Sequence, residues 1–319
     1  MPELILHHFE ASPFAEKARL MLGLKQLAWR SVEIPRIMPK PDLIALTGGY
    51  RRTPVLQIGA DVYCDTRLIA TELEARHPHP TLFPGGQRGI ALALAAWSDR
   101  TLFESAVGLS MASMPNPPAD FIKDRREFLS FLDFDRLESE IPRFISQLRG
   151  HADLIDQQLG DGRAFLGGEA PGLMDVEAYF PFWMVRARVS SAAEFLAGFT
   201  RLSPWEQRVR ALGRGRPVAM TAAEAHAVAR SSLPRHGAGV DARDPLKLAV
   251  GQTVSIAPDD YGKDPVSGRL VTLTVHEVAV QRADPAVGTV VVHFPRIGYR
   301  VSRVHAHEAV RNLTPQGGR

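Results

Sequence analysis

Apolar and polar positions divide the chain into three stretches of different period. In residues 1–83, short apolar runs alternate with amphipathic ones. Leu4-Ile5-Leu6 reads as a short strand. Ser12-Pro13 then opens an amphipathic run from Phe14 to Leu24. Serine is a favoured N-cap, and proline fits the first helical position because the N–H there has no partner anyway. The segment punctuated by Pro35, Pro39 and Pro41 reads as a loop. Pro54-Val55-Leu56-Gln57-Ile58 and Asp61-Val62-Tyr63-Cys64 flank Gly59-Ala60 in the manner of a hairpin. Asp65-Thr66 caps a helix predicted from Arg67 to Arg76, with Leu68, Ile69 and Leu73 on one face. The order of strand, helix, loop, hairpin and helix predicts a small α/β domain.

From Gln87 to Ser232 the period is helical. Ile90, Leu92, Leu94, Trp97, Leu102 and Phe103 lie in one run, and Phe128 to Leu159 makes another with Pro142 as its kink or start. Shorter helices are predicted over Met174 to Val189, Ala192 to Phe199, Pro204 to Leu212 and Ala222 to Ser231. Residues 84–234 therefore read as all-helical. After the linker His236-Gly237-Ala238-Gly239, alternation takes over in Thr253 to Ile256, Leu270 to Val275, Thr289 to Phe294 and Tyr299 to Val304. Glycines separate these runs, which predicts a small all-β barrel or sandwich over 235–319.

Composition narrows the class. The 319 residues are 45% hydrophobic and 23% charged, as in soluble globular proteins. The longest apolar run, Ile90 to Trp97, is too short to span a bilayer, and Met1-Pro2-Glu3 lacks the basic start of a secretory signal. Cytoplasmic localisation is the resulting expectation. A single cysteine, Cys64, excludes an internal disulfide framework and a multi-cysteine zinc site. His77-Pro78-His79 and His305-Ala306-His307 lack a third ligand, so no metal is expected. The net charge of +3 is unevenly placed: residues 1–200 carry −4, 201–240 carry +5 and 241–319 carry +2. The basic excess is seven arginines (Arg201, Arg208, Arg210, Arg214, Arg216, Arg230 and Arg235), read as a local cluster at a domain junction. The β-rich segment has only Tyr261, Phe294 and Tyr299 for stacking, which argues against a nucleic-acid platform.

Five short motifs carry chemistry. They are Ser12-Pro13-Phe14-Ala15-Glu16-Lys17-Ala18-Arg19, Arg52-Thr53-Pro54-Val55-Leu56, Cys64-Asp65-Thr66, Pro171-Gly172-Leu173-Met174-Asp175 and Pro204-Trp205. Taken alone, Ser12 and Asp65-Thr66 read as helix caps, Pro54 as an ordinary strand start, and Arg51 or Arg52 as a solvated cation. In this order and spacing the motifs resemble the glutathione S-transferase superfamily over residues 3–230. That resemblance implies a thioredoxin-like domain followed by a transferase-type helical bundle, with residues 235–319 as an unrecognised addition. It implies glutathione as co-substrate, no metal, and a homodimer.

The resemblance also assigns roles. Ser12 is implied as the catalytic residue, holding the glutathione thiolate by a charge-assisted hydrogen bond at the positive end of a helix. Phe14, Arg52, Thr53, Pro54, Val55, Asp65 and Thr66 are implied to bind the tripeptide. Pro54 would be cis, Val55 would pair with the peptide backbone, and Arg52 would take the glycyl carboxylate. Asp65 and Thr66 would hold the γ-glutamyl end. Leu102, Phe103, Leu109 and Met111 are candidates for the wall facing a small hydrophobic electrophile. Gly172 departs from the pattern, since relatives place serine or threonine there. Two other functions fit the same residues: a non-catalytic interaction module, and a glutathione-dependent isomerase or dehalogenase.

Overall fold

The computed structural model describes residues 2–304. Strand β1 (Ile5–His8) leads into helix α1 (Pro13–Leu24), β2 (Ala28–Glu33), α2 (Pro41–Thr47), β3 (Val55–Ile58), β4 (Asp61–Cys64) and α3 (Thr66–Arg76). β1 lies between β2, parallel, and β3, antiparallel, and β4 completes the hairpin with β3. This is the thioredoxin-like arrangement expected for residues 1–83. Two elements inside it were not legible as periodic runs: β2, whose Trp29 and Val32 alone are buried, and the short α2 within the proline-rich loop. Every residue of β1 is buried, because each face of the sheet is covered.

The helical layer contains α4 (Arg88–Trp97), α5 (Phe103–Ala112), α6 (Ala119–Phe128), α7 (Ile141–Gln158), α8 (Leu173–Arg188), α9 (Ala192–Phe195) and α10 (Leu202–Arg210). A π-turn at Ser98–Leu102 joins α4 to α5. Two of the sequence motifs meet inside this layer. The Asp175 carboxylate accepts hydrogen bonds from Gly172 N–H at 3.0 Å, Leu166 N–H at 2.8 Å and the Trp205 indole at 2.9 Å. Gly172 has its own reason: a Cβ there would stand 2.7 Å from Pro84 Cδ, so a hydroxyl-bearing cap does not fit.

Two expectations are corrected. The stretch 84–234 is not wholly helical, because β5 (Arg216–Ala219) adds a parallel strand beside β2 and α11 (Ala222–Ser231) follows it. Ala225 of α11 packs with Ile5 and Val32 on the sheet. The strand was hidden because all four of its residues are exposed and show no alternation. The C-terminal strands, in turn, do not form a free-standing barrel or sandwich. β6 (Gly239–Val240), β7 (Thr253–Pro258), β8 (Val266–Leu273), β9 (Glu277–Asp284), β10 (Gly288–Pro295) and β11 (Tyr299–Arg303) belong to the same sheet as β1 to β4. β10 pairs in parallel with β4, matching Val292 to Val62 and His293 to Tyr63. The added strands and the second face of the thioredoxin-like sheet share one core, with Leu43, Leu46, Val62 and Cys64 packed among Val254, Leu270, Val280 and Phe294. A strand edge with unpaired N–H and C=O groups is costly to leave open, and β10 closes the one β4 presents.

The seam holds a buried polar bridge. His293 stacks on Tyr63 at 4.6 Å, with Nε2 at 2.9 Å from Asp61 Oδ1 and Nδ1 at 2.5 Å from Glu277 Oε1. Burial by itself lowers the imidazole pKa, but the hydrogen bonds to Asp61 and Glu277 outweigh it and raise the pKa above its ordinary value. A folded-state pKa above the unfolded one gives stability that is complete below pH ~6.5 and is lost as pH rises through the folded-state value. Urea unfolding of wild type and His293→Phe at stepped pH checks this. The difference in stability should be largest at acid pH and shrink towards alkaline pH; a difference independent of pH would contradict it.

Candidate functional site

A cavity of about 410 Å³ opens where the thioredoxin-like layer, the helical layer and the added strands meet. Ser12 lines it as the N-cap of α1. Its Oγ accepts the Ala15 N–H at 3.2 Å, and its own N–H donates to the Phe9 carbonyl at 3.1 Å. The cap uses one lone pair and leaves the hydroxyl proton to donate elsewhere, so capping and a role toward a bound anion are compatible. Phe14 packs edge-on against Phe103 at 4.8 Å and, with tilted rings, against Phe180 at 4.9 Å. Of the expected apolar wall, Phe103 and Met111 line the cavity, whereas Leu102 and Leu109 are buried in the helical core.

The Thr53–Pro54 bond is cis, and both residues line the cavity. Val55 lies outside it. As the first residue of β3 it stands between His7 of β1 and Cys64 of β4, so its backbone serves the sheet. Asp65 and Thr66 line the cavity at the N-terminus of α3. Asp65 is already engaged: it accepts from Arg67 N–H at 2.9 Å, from the Arg67 guanidinium at 3.2 Å and from the Tyr299 hydroxyl at 3.2 Å. Burial would raise its pKa, yet the Arg67 charge and hydrogen bonds hold it below the usual carboxylate range.

Arg52 departs most from expectation. Its guanidinium bonds the Asp260 carboxylate and the Tyr261 carbonyl, and it stacks 4.1 Å over the Tyr261 ring. The turn after β7 thus occupies the cation expected to meet a ligand carboxylate. Gly262 permits the approach, since a Cβ there would meet Phe128 at 2.5 Å. Lys40 is a second cation at the same loop. Buried beside the cis-proline loop, its ammonium donates to Arg51 O at 3.2 Å and Thr53 Oγ1 at 3.3 Å. Burial, then the charges of Arg125 and Arg51, lower its pKa to about 7.

Beneath the cavity, Lys17 is fully buried between Asp99 and Glu177, each at 2.6 Å. Burial pushes both carboxyls above their usual range while Lys17 resists. Asp99 sits on the π-turn and faces the cavity. Sequence reasoning missed Lys40, Asp99, Asp260, Tyr261 and Tyr299, which come from a loop, a kink and the added strands. The sequence marks Tyr261 and Tyr299 only as stacking aromatics, with Gly262 and Gly298 at the turns beside them. Three of the seven arginines in the basic stretch form ion pairs within the fold: Arg214 with Glu10 and Glu16, Arg201 with Asp156, and Arg235 with Glu72. Among the described residues, no group of three or more His, Cys, Asp and Glu could hold a metal, and no helix is long and apolar enough to cross a membrane. His305 and His307 lie outside the described residues.

Residues 6–81 match the family description "Glutathione S-transferase, N-terminal domain". A solved GST-like protein from Pseudomonas syringae is 39% identical, covering 95% of this chain and 100% of that one, with a TM-score of 0.76. The chain belongs to the glutathione S-transferase superfamily. No curated protein is similar to it in sequence. A glutathione S-transferase from Rhodospirillum rubrum F11 (21% identity, 65% of this chain and 87% of that one, TM-score 0.50) shares the fold. So does poplar glutathione transferase F1, with 12% identity, 66% and 93% coverage and a TM-score of 0.51. Strands β7 to β11 lie beyond the part shared with these transferases, while coverage of the Pseudomonas relative takes them in.

In this transferase-fold site, the Arg52–Asp260 bridge ties the added strands to the cis-proline loop. Hydrogen-bonded, partly buried pairs of this kind couple by about 1–2 kcal/mol. A double-mutant cycle with Arg52→Ala and Asp260→Ala, read by urea unfolding, should return a coupling of that size. Strict additivity would show that the bridge contributes nothing.

Proposed function

We propose that this protein binds glutathione in the cavity and activates its thiolate for attack on a small electrophile. One observation carries the reading: Ser12, the cis Thr53–Pro54 loop and Thr66, far apart in sequence, line a single cavity. An ordinary thiol with a pKa near ~8.5 is mostly protonated at neutral pH. A hydroxyl proton from Ser12 and the positive end of α1 favour the anion. The thiolate lone pair then forms the new bond to the electrophile, and the displaced group leaves with its electrons.

Binding is assigned differently from the family expectation. Lys40 takes the glycyl carboxylate, because Arg52 is committed to Asp260 and Tyr261. The backbone at Thr53, rather than Val55, faces the peptide. The N-terminus of α3 with Thr66 receives the γ-glutamyl carboxylate. Asp65 orients Arg67, and Asp99 is the cavity carboxyl that meets the ammonium. Assembly as a homodimer belongs to the same reading. A non-catalytic binding module is favoured by one feature, the occupation of Arg52 and Asp65 by residues of the added strands.

Calorimetric titration with glutathione and turnover of chlorodinitrobenzene separate the two. Wild type should bind glutathione, Lys40→Met should weaken binding by about ten-fold, and Ser12→Ala should lower turnover by about 100-fold. Binding with no turnover in wild type would select the module. No binding at all would contradict both.

A further inference from the structure

The transferase reading leaves part of the cavity's charge unexplained. Arg36, Lys40, Arg51, Arg125 and Arg188 all line one side of it. Among the described residues, the only carboxylate paired with any of them is Asp124, which serves Arg51 and Arg125 together. Four arginines against one carboxylate leave a formal excess of three positive charges, to which Lys40, with its pKa lowered to about 7, adds a fraction of one more. The glycyl carboxylate of glutathione on Lys40 offsets one of them.

The side chains are held together rather than scattered. Arg36 and Arg125 stand at 5.1 Å over the same ring, Phe121, and Arg125 also donates to the Arg36 carbonyl. Arg51 and Arg125 lie at 5.1 and 5.2 Å over Phe128. Arg188 reaches across from α8 to donate to the Ala11 carbonyl at 2.6 Å, next to Ser12. The Nε of Arg125 is buried and has no hydrogen-bond partner among the described residues. Burial and mutual repulsion lower Arg188 to about 10. Like charges confined in this way are costly unless an anion joins them.

We infer that this side of the cavity binds the second substrate through an anionic group, and that the substrate is an aromatic electrophile carrying a carboxylate or a similar oxyanion. Phe14, Phe103, Phe121 and Phe128 supply a surface for the ring, and the guanidinium groups supply planar donors for the oxyanion. The inference rests on the transferase reading for the reaction but not for the binding. In that reaction the thiolate forms a C–S bond at the halogen-bearing carbon, the C–Cl bond breaks, and chloride leaves with the electron pair.

The test omits glutathione. Two ligands are titrated calorimetrically into the full-length protein: a chlorodinitrobenzoate with its carboxylate para to chlorine, and the chlorodinitrobenzene lacking that carboxylate. The benzoate should bind at least ~10-fold tighter. Arg188→Gln and Arg125→Gln should each reduce that ratio by about five-fold or more. The ratio is the readout because partial misfolding lowers both affinities and leaves it unchanged. Equal affinities in wild type, or a preference untouched by both substitutions, would overturn the inference. A benzoate preference in a protein that fails to bind glutathione would keep the anion site and remove the transferase reading.

Discussion

Parallel pairing of β10 with β4, Val292 beside Val62 and His293 beside Tyr63, fixes where every added strand lies and so what lines the cavity. A thioredoxin-like sheet ends at β4, and an open edge there invites pairing with another chain. Closing it with Gly288–Pro295 commits the remaining added strands to one place, since β9, β8 and β7 follow in antiparallel order and β11 returns beside β7. The shared core behind the seam makes the commitment apolar as well as hydrogen-bonded, with Val62 and Cys64 facing Val292 and Phe294 in one cluster. Burial of the Cys64 thiol pushes its pKa well up, which fits packing rather than reactivity.

From that placement the chemistry of the cavity follows. Once β7 and β11 are fixed, Asp260, Tyr261 and Tyr299 fall against the cis-proline loop and the start of α3. They bond the Arg52 terminal nitrogen and Asp65 from within the chain, while Arg52 Nε is buried without a hydrogen-bond partner among the described residues. Among the described residues, the cavity cations without a carboxylate partner are Arg36, Lys40 and Arg188, and the proposed ligands are chosen to meet that charge. An addition that looks peripheral in the chain order therefore decides which side chains are free at the centre.

Much of this was legible in the sequence, and the boundary is physical. Apolar runs around a Gly-Ala turn mark β3 and β4, good caps mark α1 and α3, and five ordered motifs point to the superfamily that the Pseudomonas relative and the matched N-terminal domain establish. The Asp175–Trp205 hydrogen bond joins two of those motifs in the fold. What local pattern does not carry is pairing between distant segments. β5 has no alternation because no residue of it is buried, and nothing local tells β10 that its partner lies 230 or so residues earlier. The same blindness affected the site. Arg52 has the right type and position, and only the fold shows that Asp260 already holds it.

The proposed glutathione site departs from the family expectation in its anion-binding residue, Lys40 in place of Arg52, because the added strands hold Arg52. A crystal structure of the full chain with glutathione tests it most directly. The expected result is the sulfur at Ser12 Oγ, the glycyl carboxylate on Lys40, and Arg52 still bonded to Asp260. A glutathione carboxylate on Arg52, with the bridge to Asp260 broken, would contradict it.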